Sequence, residues 1–539
     1  MQGYKIIDGI GIIPADTTVI KDGAFENCTE LTSIVIPDFV TEVEDCAFRG
    51  CVNLRSIKVD PGNGVYDSRE DCNAIIETET NSLVVGCAKT KIPQGVKVIE
   101  DYAFYDCKGL KSIEIPATVE RIGMGAFDSC YGLKNIVIPA SVTEIDVCAF
   151  RECVNLKCIE IPASVTEIGE DAFDVCDGLT SIKVDPNNGV YDSREDCNAL
   201  IETASNTLLR GCPTSKIPEG VTTIGRGAFA DVKNLTNVEI PASVKVIEGF
   251  AFTGCGMEQL ELPPSVEEIG ESAFQNCAKL KSVIISSSVK VIGKSAFFDC
   301  PKLESVEILS SEVEIGDGAF EDCPAVKTVK MPYVKEYHGW FVYSVNLTNV
   351  EMPSVEVIGD NAFAGQKKLK KLVFTELLEV GEDAFKGCTG LTNIMMPRVV
   401  EIKSGAFYGC TKLKVIEISS VQEVGVSAFA GCTALESVEL PSLEAIGDEA
   451  FCGCSALKSV KVSSNEVETG AGLTFDGCDN LISFEFLTAK HGNEFDNYDL
   501  LEHRSLKEII VPAGTGKRFK EWAKDMFMDK IIVERKPER

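Results

Sequence analysis

The chain has 539 residues, and its 83 acidic against 52 basic side chains leave a formal net charge of −31. That balance argues against nucleic acid and against an anionic membrane surface as partners. No run of about 18 apolar residues occurs, so no membrane-spanning helix and no membrane insertion are expected. The first segment, MQGYKIIDGIGIIPADTT, lacks the basic start and long apolar core of a signal peptide. Either a leader has been removed or the chain is not exported by that route.

From there on the pair Ala-Phe returns every 22 or 23 residues, at Phe25, Phe48, Phe104, Phe127, Phe150 and Phe173 and so on to Phe451. A fixed period of this size marks a solenoid, whose units are too small to bury their own apolar faces and must stack. Leu110 to Leu133 shows one unit. Ile113-Glu114-Ile115 alternates as a strand with one buried side. Pro116 ends it, because proline cannot donate to a ladder. A second short extended piece runs from Val119 to Ile122. Gly123 is placed to turn with positive φ, and Met124 to Cys130 is expected to form a 3₁₀ or single α turn. All units run the same way, so the sheet is parallel. About 18 units form one continuous solenoid over residues 1–515.

Two gaps of 56 residues, Phe48 to Phe104 and Phe173 to Phe229, carry near-identical inserts at 60–92 and 185–217. They read as β-hairpins. Asn73–Thr78 and Asn81–Cys87 pair around Glu79-Thr80, which sets Cys72 opposite Cys87, as it sets Cys197 opposite Cys212. A disulfide at each pair is one reading and free thiols the other. Asp67, Glu70 and Asp71, repeated as Asp192, Glu195 and Asp196, could ligate calcium or simply line a turn.

The unit at 331–350 breaks the pattern. Tyr333, Tyr337, His338, Trp340 and Tyr343 cluster there, as a degenerate joint or as an aromatic hot spot for a partner. Exposed strand positions form two columns. One is small and polar; the other is acidic and includes Glu239, Glu261, Glu307, Glu351, Glu417 and Glu439. Lys183, Lys330 and Lys461 interrupt it. This column is a second candidate partner surface, or the solvated side of a sheet. Fifteen of the 23 cysteines fall three residues after the phenylalanine and read as a buried column of free thiols. Residues 516–539 read as a capping amphipathic helix with Phe519, Trp522, Ala523, Met526 and Phe527, followed by a tail.

Catalytic and cofactor chemistry is not expected. The three histidines stand in unrelated contexts. Gly514-Thr515-Gly516-Lys517 fails as a phosphate loop, since Val511 replaces the earlier glycine and Arg518 the serine or threonine. No metal site is expected from His or CxxC spacing.

The string Leu-x-x-Ile-x-Ile-Pro-x-x-Val-x-x-Ile-Gly-x-x-Ala-Phe-x-x-Cys, seen in IEIPASVTEIGEDAFDVC (Ile159 to Cys176) and VEIPASVKVIEGFAFTGC (Val238 to Cys255), resembles the BspA-like (Treponema pallidum type) leucine-rich repeat family over about residues 10 to 515. The resemblance implies a right-handed β-rich repeat solenoid, with a parallel sheet on one face and short turns or 3₁₀ helices on the other. It also implies a non-catalytic bacterial cell-surface or secreted protein that binds a protein partner, such as a host matrix or surface protein. Two alternatives stay open: an intracellular (cytoplasmic) or periplasmic scaffold, and a glycan-binding surface protein, which rests on the aromatic cluster; the free thiols weigh against an extracellular place unless the surroundings are reducing or anaerobic. The residues leave the oligomeric state unknown.

Overall fold

A computed structural model describes residues 4–236, 238–341, 346–463, 467–469, 472–488, 503–522 and 531–535. It contains two compact units, Met1–Met257 with Glu268–Cys277, and Glu258–Glu267 with Ala278–Arg539. Both are built from the same coil.

In the first unit the coil from Leu110 opens with the strand Ser112–Glu114. Its middle residue, Ile113, points inward and its flanks outward. After Pro116 comes a two-residue strand, Arg121–Ile122, with Ile122 buried. Both strands pair in parallel with the next coil, Ile113 opposite Ile136 and Ile122 opposite Ile145. The second unit repeats this with Leu372 opposite Ile394 and Val380 opposite Ile402. Each coil thus feeds two parallel sheets.

The return side is where the expected 3₁₀ or α turn gives way to something else. Residues 124–129 run as consecutive turns held by a third inter-coil ladder. The Phe127 amide donates to the Ala149 carbonyl at 2.8 Å, and the Ser129 amide to the Arg151 carbonyl at 2.8 Å. Among the described residues, 3₁₀ helix appears only in the inserts, at Arg69–Asp71 and Arg194–Asp196. Left-handed backbone falls twice per coil, on the residue before Ala-Phe and on the second residue after it, as at Cys148 and Glu152 or Asp383 and Gly387.

Gly123, expected to supply the positive φ, does not. A Cβ there would sit 2.8 Å from the Asp101 amide nitrogen and 2.9 Å from the Glu100 carbonyl carbon of the preceding coil. The glycine is required because two backbones approach closely, not because the chain turns left-handed.

Inside each unit the phenylalanines stack. Phe104, Phe127 and Phe150 lie 5.0 and 5.3 Å apart with planes 7° and 4° from parallel, and Phe385, Phe407 and Phe429 lie 5.0 and 5.1 Å apart. The rise between coils imposes that separation, which matches the spacing of neighbouring strands. Burying each ring contributes about 1.5–3 kcal/mol relative to leaving it exposed.

The inserts hold one strand more than a hairpin. Tyr66–Asp67, Ile75–Glu77 and Ser82–Val85 form an antiparallel meander, and Ser82–Val85 then pairs in parallel with Val98–Ile99. The insert therefore contributes an abbreviated coil to the second sheet. The Gly86 amide donates to the Ala103 carbonyl at 2.8 Å, the bond a phenylalanine makes in a regular coil. A side chain there would meet the Phe104 ring at 2.1 Å. The copy at Gly211 and Phe229 repeats this. The predicted register, Glu77 opposite Ser82 and Ile76 opposite Leu83, is present up to a bulge at Ile75, which pairs with Val85. The bulge shifts the strands by one residue before Cys72 is reached. Cys72, Cys87, Cys197 and Cys212 are free and buried, so neither disulfide is formed.

The N-terminal segment is a hairpin, Lys5–Ile7 with Ile10–Ile12, whose second strand pairs in parallel with Ser33–Ile36. At the other end the helix Gly516–Trp522 sets Phe519 against Phe486, 5.6 Å between centroids. Ala523, Met526 and Phe527 lie outside the described residues. Where a tail was expected, Ile531–Glu534 forms a strand and adds in parallel to Glu508–Val511.

Candidate interaction surface

The acidic strand column is exposed, as its alternation with buried aliphatics requires. Glu239, Glu261, Glu351, Glu417 and Glu439 are exposed and Glu307 is half-buried. Register decides what this column can do. Glu114 lies opposite Val137, Glu160 opposite Lys183, Ile284 between Glu261 and Glu307, and Lys330 between Glu307 and Glu351. Lys330 reaches Glu351 at 3.6 Å and Lys461 reaches Glu439 at 2.5 Å. In these registers each glutamate faces an aliphatic or a lysine, so repulsion is relieved at these positions.

The residue before each such strand is relieved too. Glu258, Lys281, Glu304 and Lys327 alternate in sign coil by coil, with Lys281 to Glu258 at 2.7 Å and Lys327 to Glu304 at 3.1 Å. Exposed pairs of this kind add little stability, because solvent screens them. Lys281 also holds the Glu258 carboxyl below its usual range, by hydrogen bond and by charge.

Acid set directly opposite acid lies instead on the second sheet, in a column that alternation within one unit does not single out. Glu379, Glu401 and Glu423 stand directly opposite one another in consecutive coils, and Glu144 faces Glu167 in the first unit. Lys403 binds Glu379 from the flank. In the first unit Arg121 takes the corresponding place and draws in Asp146 at 2.6 Å, Asp101 at 3.1 Å and Glu144 at 3.4 Å. A two-residue strand is too short to show alternation, so its single outward position leaves no pattern within one unit. Aligning units at the Ile-Gly pair would have shown it.

The aromatic cluster divides. Tyr337 is fully buried, which removes it from any partner surface. It occupies the aliphatic column, opposite Ile358, yet its ring stacks on Phe363 at 4.7 Å. Phe341 stacks on Phe320 at 4.9 Å. The stack therefore passes from Phe341 to Tyr337 within one irregular unit. Trp340 is half-buried and meets Tyr337 edge-on at 5.2 Å. His338 is exposed, with Nε2 3.3 Å from Glu336, and Tyr333 is 55% exposed. Tyr343 lies outside the described residues.

Among the described residues no three metal-ligating side chains of the inserts come together. Arg69 clamps Asp67 through Nε at 2.9 and 3.0 Å and reaches Asn81 at 3.0 Å, and Arg194 treats Asp192 and Asn206 the same way. Through these arginines the two aspartates link the end of the first meander strand to the turn between the second and third strands.

The thiol column has a polar role beyond filling space. Cys130 donates to the Phe104 carbonyl of the preceding coil at 3.2 Å, Cys153 to Phe127 at 3.2 Å and Cys410 to Phe385 at 3.1 Å. Burial pushes the thiols of Cys51, Cys277 and Cys388 up to about 12, so they remain protonated donors at neutral pH.

Comparison with known proteins agrees with this architecture. The BspA type leucine-rich repeat region, in six copies, matches residues 11–71, 81–194, 209–330, 337–442 and 422–529. No curated protein matches significantly. Among solved structures, a leucine-rich repeat protein from Bacteroides ovatus is 21% identical, with 97% of this chain and 90% of that one covered and a TM-score of 0.32. A leucine-rich cell surface protein from Faecalibacterium prausnitzii is 24% identical over 77% of this chain and 92% of that one, with a TM-score of 0.31. The T. pallidum leucine-rich repeat protein is 21% identical over 47% and 86%, with a TM-score of 0.17. With the family's repeat matched over most of its length, and its phenylalanines, thiols and paired strands in register, this chain belongs to the BspA-type leucine-rich repeat family.

Proposed function

We propose that the chain is a non-catalytic protein-binding solenoid displayed on a bacterial cell surface, and that it engages a basic protein such as a host matrix or surface protein. The observation that carries this reading is the in-register run Glu379, Glu401 and Glu423. Like charges directly opposed in a sheet cost up to about 1 kcal/mol per pair. These three glutamates face one another, with Lys403 flanking Glu379, and a cationic partner would relieve the repulsion that is left. Such a surface speeds encounter and sets specificity more than it adds affinity. The surface location is the one the family resemblance implies.

The test is retention of purified chain on a panel of immobilised host matrix proteins. Binding should fall at least tenfold when Glu379, Glu401 and Glu423 are changed together to glutamine, and should weaken between 0.05 and 0.5 M salt, conditions chosen to collapse the screening length. Undiminished binding by the triple variant would contradict the assigned face.

A second reading has its own observation. All 23 cysteines are free. Thiol-rich chains without disulfides suit reducing surroundings, which favours a scaffold inside the cell. Impermeant biotin labelling of whole cells, followed by recovery of this chain, separates the two. The glycan-binding alternative loses Tyr337 to the core.

A further inference from the structure

The chain contains its own control for a ligand pocket, because residues 43–123 recur 125 positions later as 168–248 around the second insert. Where the first copy has Glu44, Glu100 and Tyr102, the second has Gly169, Gly225 and Gly227. The first copy has only a void of about 30 Å³ that overlaps the equivalent place, lined by Glu44 to Arg49, Val84 to Cys87 and Asp101 to Cys107 and with room for about one water. At the second it is about 250 Å³.

The hollowed copy also gains polar groups. Arg210 stands where the first copy has Val85, and it is 5% exposed. Its Nη1 donates to Asp174 Oδ1 at 3.2 Å and to the Gly227 carbonyl at 3.0 Å, while its Nε–H is buried without a partner. Phe173, Tyr191 and Leu200 line the void with it and are buried. The wall also carries five carboxylates, from Glu170, Asp171, Asp174, Glu202 and Glu248, against two guanidiniums, Arg210 and Arg226. Arg226 is drawn onto the Phe250 ring, 4.7 Å from its centroid. Burial, with Asp174 nearby, pushes the Asp171 carboxyl up, a cost that a bound cation would remove.

We propose that this cavity is a binding site for a small organic amine that also carries a hydrogen-bond acceptor, the chemistry of a free amino acid. Its ammonium group lies among the carboxylates, and its acceptor takes the unpartnered Arg210 Nε–H. The first copy, filled and without the arginine, binds nothing comparable.

Calorimetric titration of the full chain with L-lysine, L-arginine, putrescine and N-acetylglucosamine tests this. Lysine or arginine should bind saturably at one site, and putrescine, which has no acceptor, at least tenfold more weakly. Two variants restore the first copy's residues. Gly227→Tyr refills the space at a backbone position where Tyr102 already tolerates φ 58° against 61° at Gly227. Arg210→Val removes the donor. Each should weaken binding at least tenfold with an unchanged circular dichroism spectrum, and if Arg210→Val unfolds, Gly227→Tyr decides alone. No saturable binding by either amino acid, tighter binding of the sugar, or full binding by Gly227→Tyr would overturn the proposal.

Discussion

A buried phenylalanine and a buried thiol recur in coil after coil, and each makes a separable demand. Phe127 stacks on Phe104 and Phe150, so Phe127→Ala removes two ring contacts and leaves a cavity between fixed coils. Such changes cost about 3–5 kcal/mol, and urea unfolding of the variant should show a loss of that size. The thiols make stability depend on pH. A group whose protonated form is favoured by folding contributes stability below its unfolded pKa and loses it as pH rises through the folded value. For Cys51, Cys277 and Cys388 that window runs from about 9 to about 12. Under reducing conditions the urea midpoint should therefore fall steeply above pH 9, and a set of cysteine-to-alanine variants at these positions should flatten the fall. A midpoint independent of pH up to 11 would mean that the thiols are not buried as described.

Two glycines show what one element demands of its neighbour. Alanine at Gly123 drives a Cβ into the backbone of the preceding coil, where nothing flexible can yield. Overpacking of that kind costs about 1–3 kcal/mol. Alanine at Gly387 meets nothing within 4 Å and pays only for φ +69°, about 1 kcal/mol. Comparing the melting of the two variants tests whether close coil approach, rather than the turn, is what Gly123 serves. In the irregular unit, Trp340→Ala should lower stability, because its ring packs edge-on against Tyr337 where the stack changes residue. The second-sheet column has a prediction of opposite sign. Glu401→Gln relieves repulsion from both neighbours and should raise stability by a few tenths of a kcal/mol at low salt.

The period, the inward aliphatics, and the phenylalanine and thiol columns were legible in the residues because each recurs at one fixed place within every unit. The role of Gly123 was not, since close approach and left-handed backbone both select glycine and only inter-coil distances tell them apart. The bulge at Ile75 was not, because it slips the register without changing composition. The meander's parallel pairing was hidden for a different reason: it joins Ser82–Val85 to Val98–Ile99 beyond the local hairpin pattern. Of the proposed surfaces, the strand glutamates were visible by alternation, but their relief depends on which residue lies one coil away. Tyr337, which the residues leave as part of a joint or of a hot spot, is buried by register.

At the scale of the molecule, the fold of each unit depends on coils stacked in register, with all the column thiols but the half-buried Cys28 and Cys107 buried by their neighbours. Pulsed alkylation read by peptide mass spectrometry measures this directly, residue by residue. In native buffer Cys130, Cys153, Cys277, Cys300, Cys410 and Cys432, all fully buried, should stay unlabelled, and all should become reactive together within the unfolding transition of their own unit. Labelling of these thiols in native buffer at the rate of a free small thiol would contradict the stacked architecture.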